Sequence, residues 1–291
     1  MTFDVTNPEV RRAVELALEE DVRTGDITTE ATVPADLQGE ARFVARQEMT
    51  LAGVELLELV FNARVGPVAN RPQDAIVPHV VAHSGARLQS GDVIATVCGP
   101  ARLLLTRERV ALNFMQRLSG IATLAAKYVA EVEGTGVKIL DTRKTTPGLR
   151  VLEKMAAAAG GVQNHRMGLW DAVLIKNNHI SIAGSVRAAC ERAMECAKPL
   201  GIAVEVEVRT RAEIEEALAC GAKRLLLDNM TPAQAAEEIR FINKRATVEL
   251  SGGMTLANVR AYAEAGPDYI SAGAITHSAT AVDINCGIHV V

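Results

Sequence analysis

The chain has 291 residues, of which 48% are hydrophobic and only 3% aromatic, and its formal net charge is −4. That length suits one large domain or two ordinary ones, and a core of Ala, Val, Leu and Ile suits parallel strands buried under helices. The lack of a basic excess excludes nucleic acid as the main partner, and no run approaches the ~20 apolar residues of a membrane span. Met1 to Asp4 show neither the basic nor the apolar region of a signal peptide. The five cysteines are odd in number and form no CxxC pair, which reads as free thiols in a reducing cytoplasm.

Asn7 followed by Pro8 marks a helix start, with Val10, Val14 and Ala17 at helical spacing. Ala41 to Arg46 and Val93 to Val97 read as short strands, and His79 to His83 as a candidate third, with turns at Gly85 and Gly91. These mixed elements predict a small α+β domain. From about Leu103 the pattern is helical: one helix to Leu118, an interruption at Ser119-Gly120, then a second helix to about Glu131. Six apolar runs follow, at Val137–Leu140, Ala172–Ile175, Ala203–Val208, Arg224–Leu227, Thr247–Leu250 and Tyr269–Ser271, nearly all trailed by amphipathic helices. Such alternation implies a parallel sheet. Six strands are fewer than the eight of a closed barrel, so either the barrel is incomplete or strands remain to be found near Gly160–Asn164. A doubly wound open sheet is the alternative. The tail from Ala281 to Val291 is apolar enough to pack, and a return to the first domain is open.

Polar groups follow the apolar runs: Asp141-Thr142-Arg143-Lys144, Lys176, Asp228-Asn229, Ser251-Gly252-Gly253 and Ala272-Gly273-Ala274. In parallel α/β folds the carboxyl ends of the strands converge on one face, which carries the site. In Val204-Glu205-Val206-Glu207-Val208 the two carboxylates share a face. They point into the barrel if the valines pack against helices, and to solvent if the strand is an edge. Buried carboxylates need cations, for which Lys176, Arg143 and Lys144 are candidates, or a magnesium ion shared with Asp228. Gly160 to Arg166 is a glycine-opened loop ending in His165 and Arg166; a plain surface loop is its other reading. The last two glycine stretches suit phosphate, held by backbone N–H groups and a helix N-terminus. The set describes a site for a multiply anionic, phosphorylated substrate and a divalent cation.

The run Asp141-Thr142-Arg143-Lys144-Thr145-Thr146-Pro147-Gly148-Leu149-Arg150 resembles the signature of the quinolinate phosphoribosyltransferases, the carboxylating nicotinate-nucleotide pyrophosphorylases. So do Gly160 to Leu169, Glu20-Asp21 with Gly25 to Thr28, Glu108-Arg109 with Ala111 to Asn113, Leu174 to Lys176 with Asn178-His179, Glu205 to Val208, Leu226 to Asn229, Ser251 to Gly253 and Gly273 to Ser278. The resemblance covers nearly the whole chain in order. It implies an α/β fold with a small N-terminal α/β sandwich domain over 1–112, an incomplete parallel α/β barrel over 113–278, and a tail, 279–291. The implied reaction joins quinolinate to phosphoribosyl pyrophosphate, giving nicotinate mononucleotide, pyrophosphate and carbon dioxide in NAD biosynthesis. By the same carry-over, Arg143, Lys144, His165, Arg166 and Lys176 bind the quinolinate carboxylates, and Arg109 enters from the partner of a homodimer or larger homo-oligomer. Glu207 and Asp228 hold magnesium and the ribose hydroxyls. Ser251, Gly252, Gly253, Ala272, Gly273 and Ala274 cradle phosphate, with Thr142 and His277 also in the substrate-binding set. Lys144, Lys176, Glu207 and Asp228 are the catalytic assignments. Asn177 and Val110 depart from the family's usual residues at positions without an assigned role.

Three other readings fit parts of this set. A Schiff-base lyase would use Lys176 or Lys144 as nucleophile. A sensor would bind the same anions without turnover. A paralogous phosphoribosyltransferase would take another heterocyclic carboxylate.

Overall fold

The computed structural model describes residues 3–65 and 76–291. The chain forms two compact units.

The first unit comprises Met1–Ala126, Thr145–Gly161 and Ser278–Val291. Helix α1 (Pro8–Val22) starts as predicted: the Asn7 side chain accepts the Glu9 N–H, and Pro8 sits where an N–H would go unused. Asp26 caps α2 (Ile27–Thr32) by accepting the Thr29 hydroxyl and N–H, bonds that hold its carboxyl below its ordinary pKa. Strand β1 (Gln38–Ala45) buries Ala41, Phe43 and Ala45. A short ribbon pairs β2 (Met49–Thr50) with β4 (Arg87–Leu88). Phe43 meets Phe61 of α3 (Leu56–Asn62) edge-on at 6.4 Å. The remaining strands, β3 (His79–Val80), β5 (Val93–Pro100) and β12 (Ile284–Val290), complete a sheet of order β12-β1-β5-β3. The tail therefore returns to pair antiparallel with β1, from Gly39 opposite Val290 to Ala45 opposite Ile284.

Helix α4 (Ala101–Glu131) corrects one expectation: Ser119-Gly120 does not interrupt it. Ser and Gly are weak helix formers, yet here both serve close approach. The Ser119 hydroxyl accepts from the Ala52 N–H at 2.9 Å and donates to the Ala52 carbonyl at 3.2 Å. A Cβ on Gly120 would run into the Thr280 carbonyl. Buried Arg107 on the same helix donates to the Val60 and Ala63 carbonyls at the end of α3, and burial lowers its pKa to about 10. Helix α5 (Arg150–Ala159) completes the unit. Its buried Glu153 accepts from Arg117 at 2.9 Å and from the Thr146 hydroxyl at 2.7 Å. Residues 113–126 and 145–161, assigned to the barrel domain from sequence, thus lie in the first unit. Continuous α4 offers no local break at residue 112 to mark the boundary.

The second unit comprises Lys127–Lys144 and Val162–His277. Its strands are β6 (Lys138–Leu140), β7 (Val173–Ile175), β8 (Val204–Val208), β9 (Arg224–Asp228), β10 (Thr247–Ser251) and β11 (Tyr269–Ser271). All are parallel, in the order β6-β11-β10-β9-β8-β7. Each runs within one residue of its predicted span. The order steps cyclically through the chain, as in a barrel, with none of the reversal that defines a doubly wound sheet. The ring is open between β6 and β7. No added strand appears near Gly160–Asn164: Gln163 forms a single parallel bridge with Leu140. Helices α6 (Asn177–Ala183), α7 (Val186–Ala197), α8 (Arg211–Ala219), α9 (Pro232–Ile242), α10 (Val259–Ala263) and α11 (Ala274–His277) follow the strands. The registers Val206–Leu225–Val248 and Glu207–Leu226–Glu249 place the valines on one face and the carboxylates on the other. Among the described residues no helix is long and apolar enough to cross a membrane, and all five cysteines are free thiols.

Replacing Gly120 with alanine tests the close approach in the first unit. Helix propensity alone favours alanine by about 1 kcal/mol, whereas forcing a methyl into packed backbone costs about 1–3 kcal/mol. We expect Gly120→Ala to lower the urea-unfolding free energy; a gain would show that the Thr280 segment yields freely.

Candidate functional site

Strands β8, β9 and β10 carry four carboxylates on the same face. Glu205, Glu207 and Glu249 are buried, and each unpaired carboxylate in such a place would cost several kcal/mol. The sheet supplies the partners. Glu207 Oε2 lies 3.3 Å from Lys176 Nζ and its Oε1 3.2 Å from Arg209 Nη2. The same Arg209 nitrogen lies 3.0 Å from Asp228 Oδ2, which also accepts the Asn229 amide at 2.7 Å. Glu205 Oε2 and Glu249 Oε2 are both 3.3 Å from His165 Nε2, and Arg224 Nε is 3.8 Å from Glu205 Oε1. The inward reading of Glu205 and Glu207 therefore holds. Lys176 is among their cations as expected, joined by Arg209, Arg224 and His165.

His165 and Arg166 are placed by Asp141. This buried residue follows β6 and accepts the His165 N–H at 2.8 Å and the Asn164 amide at 2.6 Å. Its own N–H donates to the Gln163 carbonyl at 3.1 Å. Downstream, Asp171 accepts the Met167 and Gly168 N–H groups, and Arg166 donates to the Ala172 carbonyl at 3.1 Å. The loop after Gly160 is thus a tethered part of the sheet edge, and the plain surface-loop reading fails. A cavity of about 190 Å³ opens beside it, lined by His165, Arg166, Glu205, Arg224 and Tyr269 among others.

The cations are crowded. Burial, then the charge of Arg143, lowers the pKa of Arg166, and Arg143 Nε is buried with no hydrogen-bond partner among the described residues. Two guanidinium groups near enough for one charge to act on the other suit an anion with more than one carboxylate. His165 also belongs to this charge balance. Burial lowers its pKa, but its contacts with Glu205 and Glu249 prevail and push it up to about 9. In the neutral ring its Nδ1 accepts the Arg166 N–H at 2.7 Å, a bond lost on protonation, while Nε2 faces the carboxylates in either state. The three ligand atoms of His165, Glu205 and Glu249 lie within 4.8 Å of one another. Glu249 stands beside His165 as an ion-pair neighbour, with neither of its oxygens hydrogen-bonded among the described residues.

At the other strand ends, Gly252 has φ +102°, and a Cβ there would strike the Asn229 backbone and side chain. Asn229 itself has φ 57° and donates its N–H to the Ser251 carbonyl at 3.0 Å. Gly273 leaves room for Lys144 and His277, whose side chains a Cβ would meet at 2.8 and 3.2 Å. The Thr276 hydroxyl donates to the Lys144 carbonyl at 2.7 Å, and Thr142 Oγ1 accepts the Lys144 N–H at 3.1 Å. Thr142, Lys144, Gly273 and His277 are therefore brought together. The expected helix N-termini are weak: α10 begins only at Val259, and α11 is a single turn after Gly273. A phosphate here would rely on glycine backbone and on Lys144. Arg109 is exposed on α4 of the first unit. Sequence reasoning passed over Arg209, Arg224 and Glu249. Glu249 had a signal, since Thr247-Val248-Glu249-Leu250 repeats the alternation of β8.

Exchanging Asp141 for asparagine tests the tether, because one of the two donors it serves would then face an amide N–H. We expect Asp141→Asn to lose about 2–3 kcal/mol in urea unfolding. An unchanged midpoint would show that Asn164 and His165 hold their places without the carboxylate.

The C-terminal domain model of quinolinate phosphoribosyl transferase matches residues 121–286 and the N-terminal domain model residues 26–119. The chain is 42% identical over 286 residues to a nicotinate-nucleotide pyrophosphorylase (carboxylating) of Mycobacterium leprae, covering 97% of this chain and 96% of that one. It is 39% identical over 270 residues to a probable enzyme of the same name from Bacillus subtilis, covering 92% and 90%. Among solved structures, NadC from Streptococcus pyogenes superposes with a TM-score of 0.90 at 36% identity over the full length of both chains. The nicotinate-nucleotide pyrophosphorylase of Francisella tularensis does so with a TM-score of 0.90 at 35% identity, over 98% of each. With both domains matched and the cation-lined strand ends in place, the chain belongs to the quinolinate phosphoribosyl transferase family.

Proposed function

We propose that this chain transfers the phosphoribosyl group of phosphoribosyl pyrophosphate to the ring nitrogen of quinolinate, with loss of carbon dioxide, giving nicotinate mononucleotide and pyrophosphate. The observation that carries this reading is the separation of charge at the strand ends. Arg143 and Arg166 crowd on one side, next to the loop that Asp141 tethers, while Glu207 and Asp228 converge on one point at the ends of β8 and β9. The cations suit the two carboxylates of quinolinate, and the carboxylate pair suits the ribose. As the bond from ribose C1 to pyrophosphate breaks, positive charge grows on the sugar, and Glu207 and Asp228 stand ready to stabilise it. Lys144, beside Gly273, and the backbone at Gly252-Gly253 suit the 5′-phosphate.

Once the ring nitrogen is alkylated it is cationic; carbon dioxide leaves the adjacent carbon, the electron pair left behind is stabilised by that nitrogen, and a proton from solvent then completes the product. The protein's part is orientation and charge matching. Magnesium fits the same reading: Glu207 and Asp228 oxygens approach a single Arg209 nitrogen at 3.2 and 3.0 Å, so one cation reaches both. When bound there it would neutralise the departing pyrophosphate. A Schiff-base role for Lys176 finds less support, because that lysine is half-exposed and paired with Glu207, not desolvated as an amine nucleophile requires. Free thiols throughout are consistent with work in the cytoplasm.

We further propose a homodimer or larger homo-oligomer in which exposed Arg109 completes the partner's carboxylate pocket. Supplying quinolinate, phosphoribosyl pyrophosphate and magnesium should yield nicotinate mononucleotide, read by chromatography. Turnover of nicotinate or another acid in its place would overturn the substrate assignment. Mixing Arg109→Ala with Lys176→Ala should restore part of the activity through hybrid oligomers. No recovery, with subunit exchange shown by mass spectrometry, would place Arg109 outside the shared site.

A further inference from the structure

Arg209 follows β8 immediately, ahead of the Thr210 that caps α8. Its backbone N–H donates to Glu213 at 2.6 Å, so the main chain there is held by the cap while the side chain remains 44% exposed. That side chain reaches back across the strand ends, and one nitrogen, Nη2, meets both Glu207 Oε1 at 3.2 Å and Asp228 Oδ2 at 3.0 Å. With Lys176 on Glu207 Oε2 at 3.3 Å, two carboxylates are balanced by two protein cations before any ligand arrives. A ligand that takes these two oxygens must therefore displace Arg209.

We propose that Arg209 is a resident counterion standing where the divalent cation binds, and that it makes metal binding conditional on the diphosphate substrate. This rests on the proposed phosphoribosyl transfer. A divalent cation arriving alone must expel Arg209 from two charge-assisted contacts and leave it without an anionic partner. A cation arriving with phosphoribosyl pyrophosphate brings phosphoryl oxygens to which the displaced guanidinium can turn. Arg209 therefore acts first as a placeholder on Glu207 and Asp228, and then as a diphosphate-binding residue at the same strand ends.

Manganese(II) binding to the full-length protein, followed by electron paramagnetic resonance, reads this without turnover and without quinolinate. Manganese alone should bind the wild type weakly, and phosphoribosyl pyrophosphate should tighten it about tenfold, equivalent to about 1.4 kcal/mol. Arg209→Gln should tighten manganese alone by a similar factor and shrink the effect of phosphoribosyl pyrophosphate. Arg209→Lys, which keeps the charge but loses the planar fork, should fall between the two and serves in its place if the glutamine variant misfolds. Asp228→Asn should weaken manganese binding in every background; if it does not, the metal sits elsewhere and the proposal fails. Unchanged affinity for manganese alone in both Arg209 variants would overturn it, as would tight manganese binding to the wild type without phosphoribosyl pyrophosphate. Because no product is measured, a different acid in the turnover assay would overturn the substrate assignment and leave this result standing.

Discussion

Four carboxylates on three adjacent parallel strands set the terms for the whole second unit. Glu205, Glu207, Asp228 and Glu249 share a face because strand side chains alternate and the registers of β8, β9 and β10 align them. Three of them are buried, so each must meet a cation, a donor or a ligand. The sheet answers with two tiers. His165 and Arg224 serve Glu205, with His165 also beside Glu249. Lys176 and Arg209 serve Glu207, and Arg209 also reaches Asp228 at the carboxyl ends. The inner tier is enclosed around the His165 ring, and both Glu249 oxygens there lack a hydrogen-bond partner among the described residues. The outer tier is held by half-exposed side chains, which is the arrangement that a substrate and a metal can rearrange at modest cost.

The opening in the strand ring is part of the same solution. A complete barrel would have filled the space between β6 and β7 with strands. Here the loop from Val162 to Ala172 occupies that edge, tied by the Gln163 bridge, by Asp141 and by Asp171. A loop carries cations inward where a strand would present alternating faces, and so His165 and Arg166 become available to the site. Rigidity comes from buried hydrogen bonds to a carboxylate, each stronger than a neutral one.

The first unit shows a different economy. Its sheet closes with the chain's last strand, so the fold of the N-terminal region is finished only when β12 lies against β1. Close approaches along α4 then depend on small residues: Ser119 binds both backbone groups of Ala52, and Gly120 yields space to the segment entering β12. Packing, more than helix propensity, decides those two positions.

The sequence by itself determined the parallel α/β character, all six strands and the convergence of charged groups on their carboxyl ends. These follow from local periodicity, which is printed in the order of residues. It also set apart Arg143, Lys144, His165, Arg166, Lys176, Glu207 and Asp228, because each stands directly after an apolar run, within one, or in the glycine-opened loop. Only the tertiary structure decided that α4 is unbroken, that residues 145–161 belong to the first unit, and that the strands close cyclically. It alone paired Arg209 with Glu207 and Asp228, and set Glu249 beside His165. Those pairings join residues 19 and 84 positions apart (209 to 228, 165 to 249), and strand register, set by the whole sheet, is what brings such distant side chains within reach.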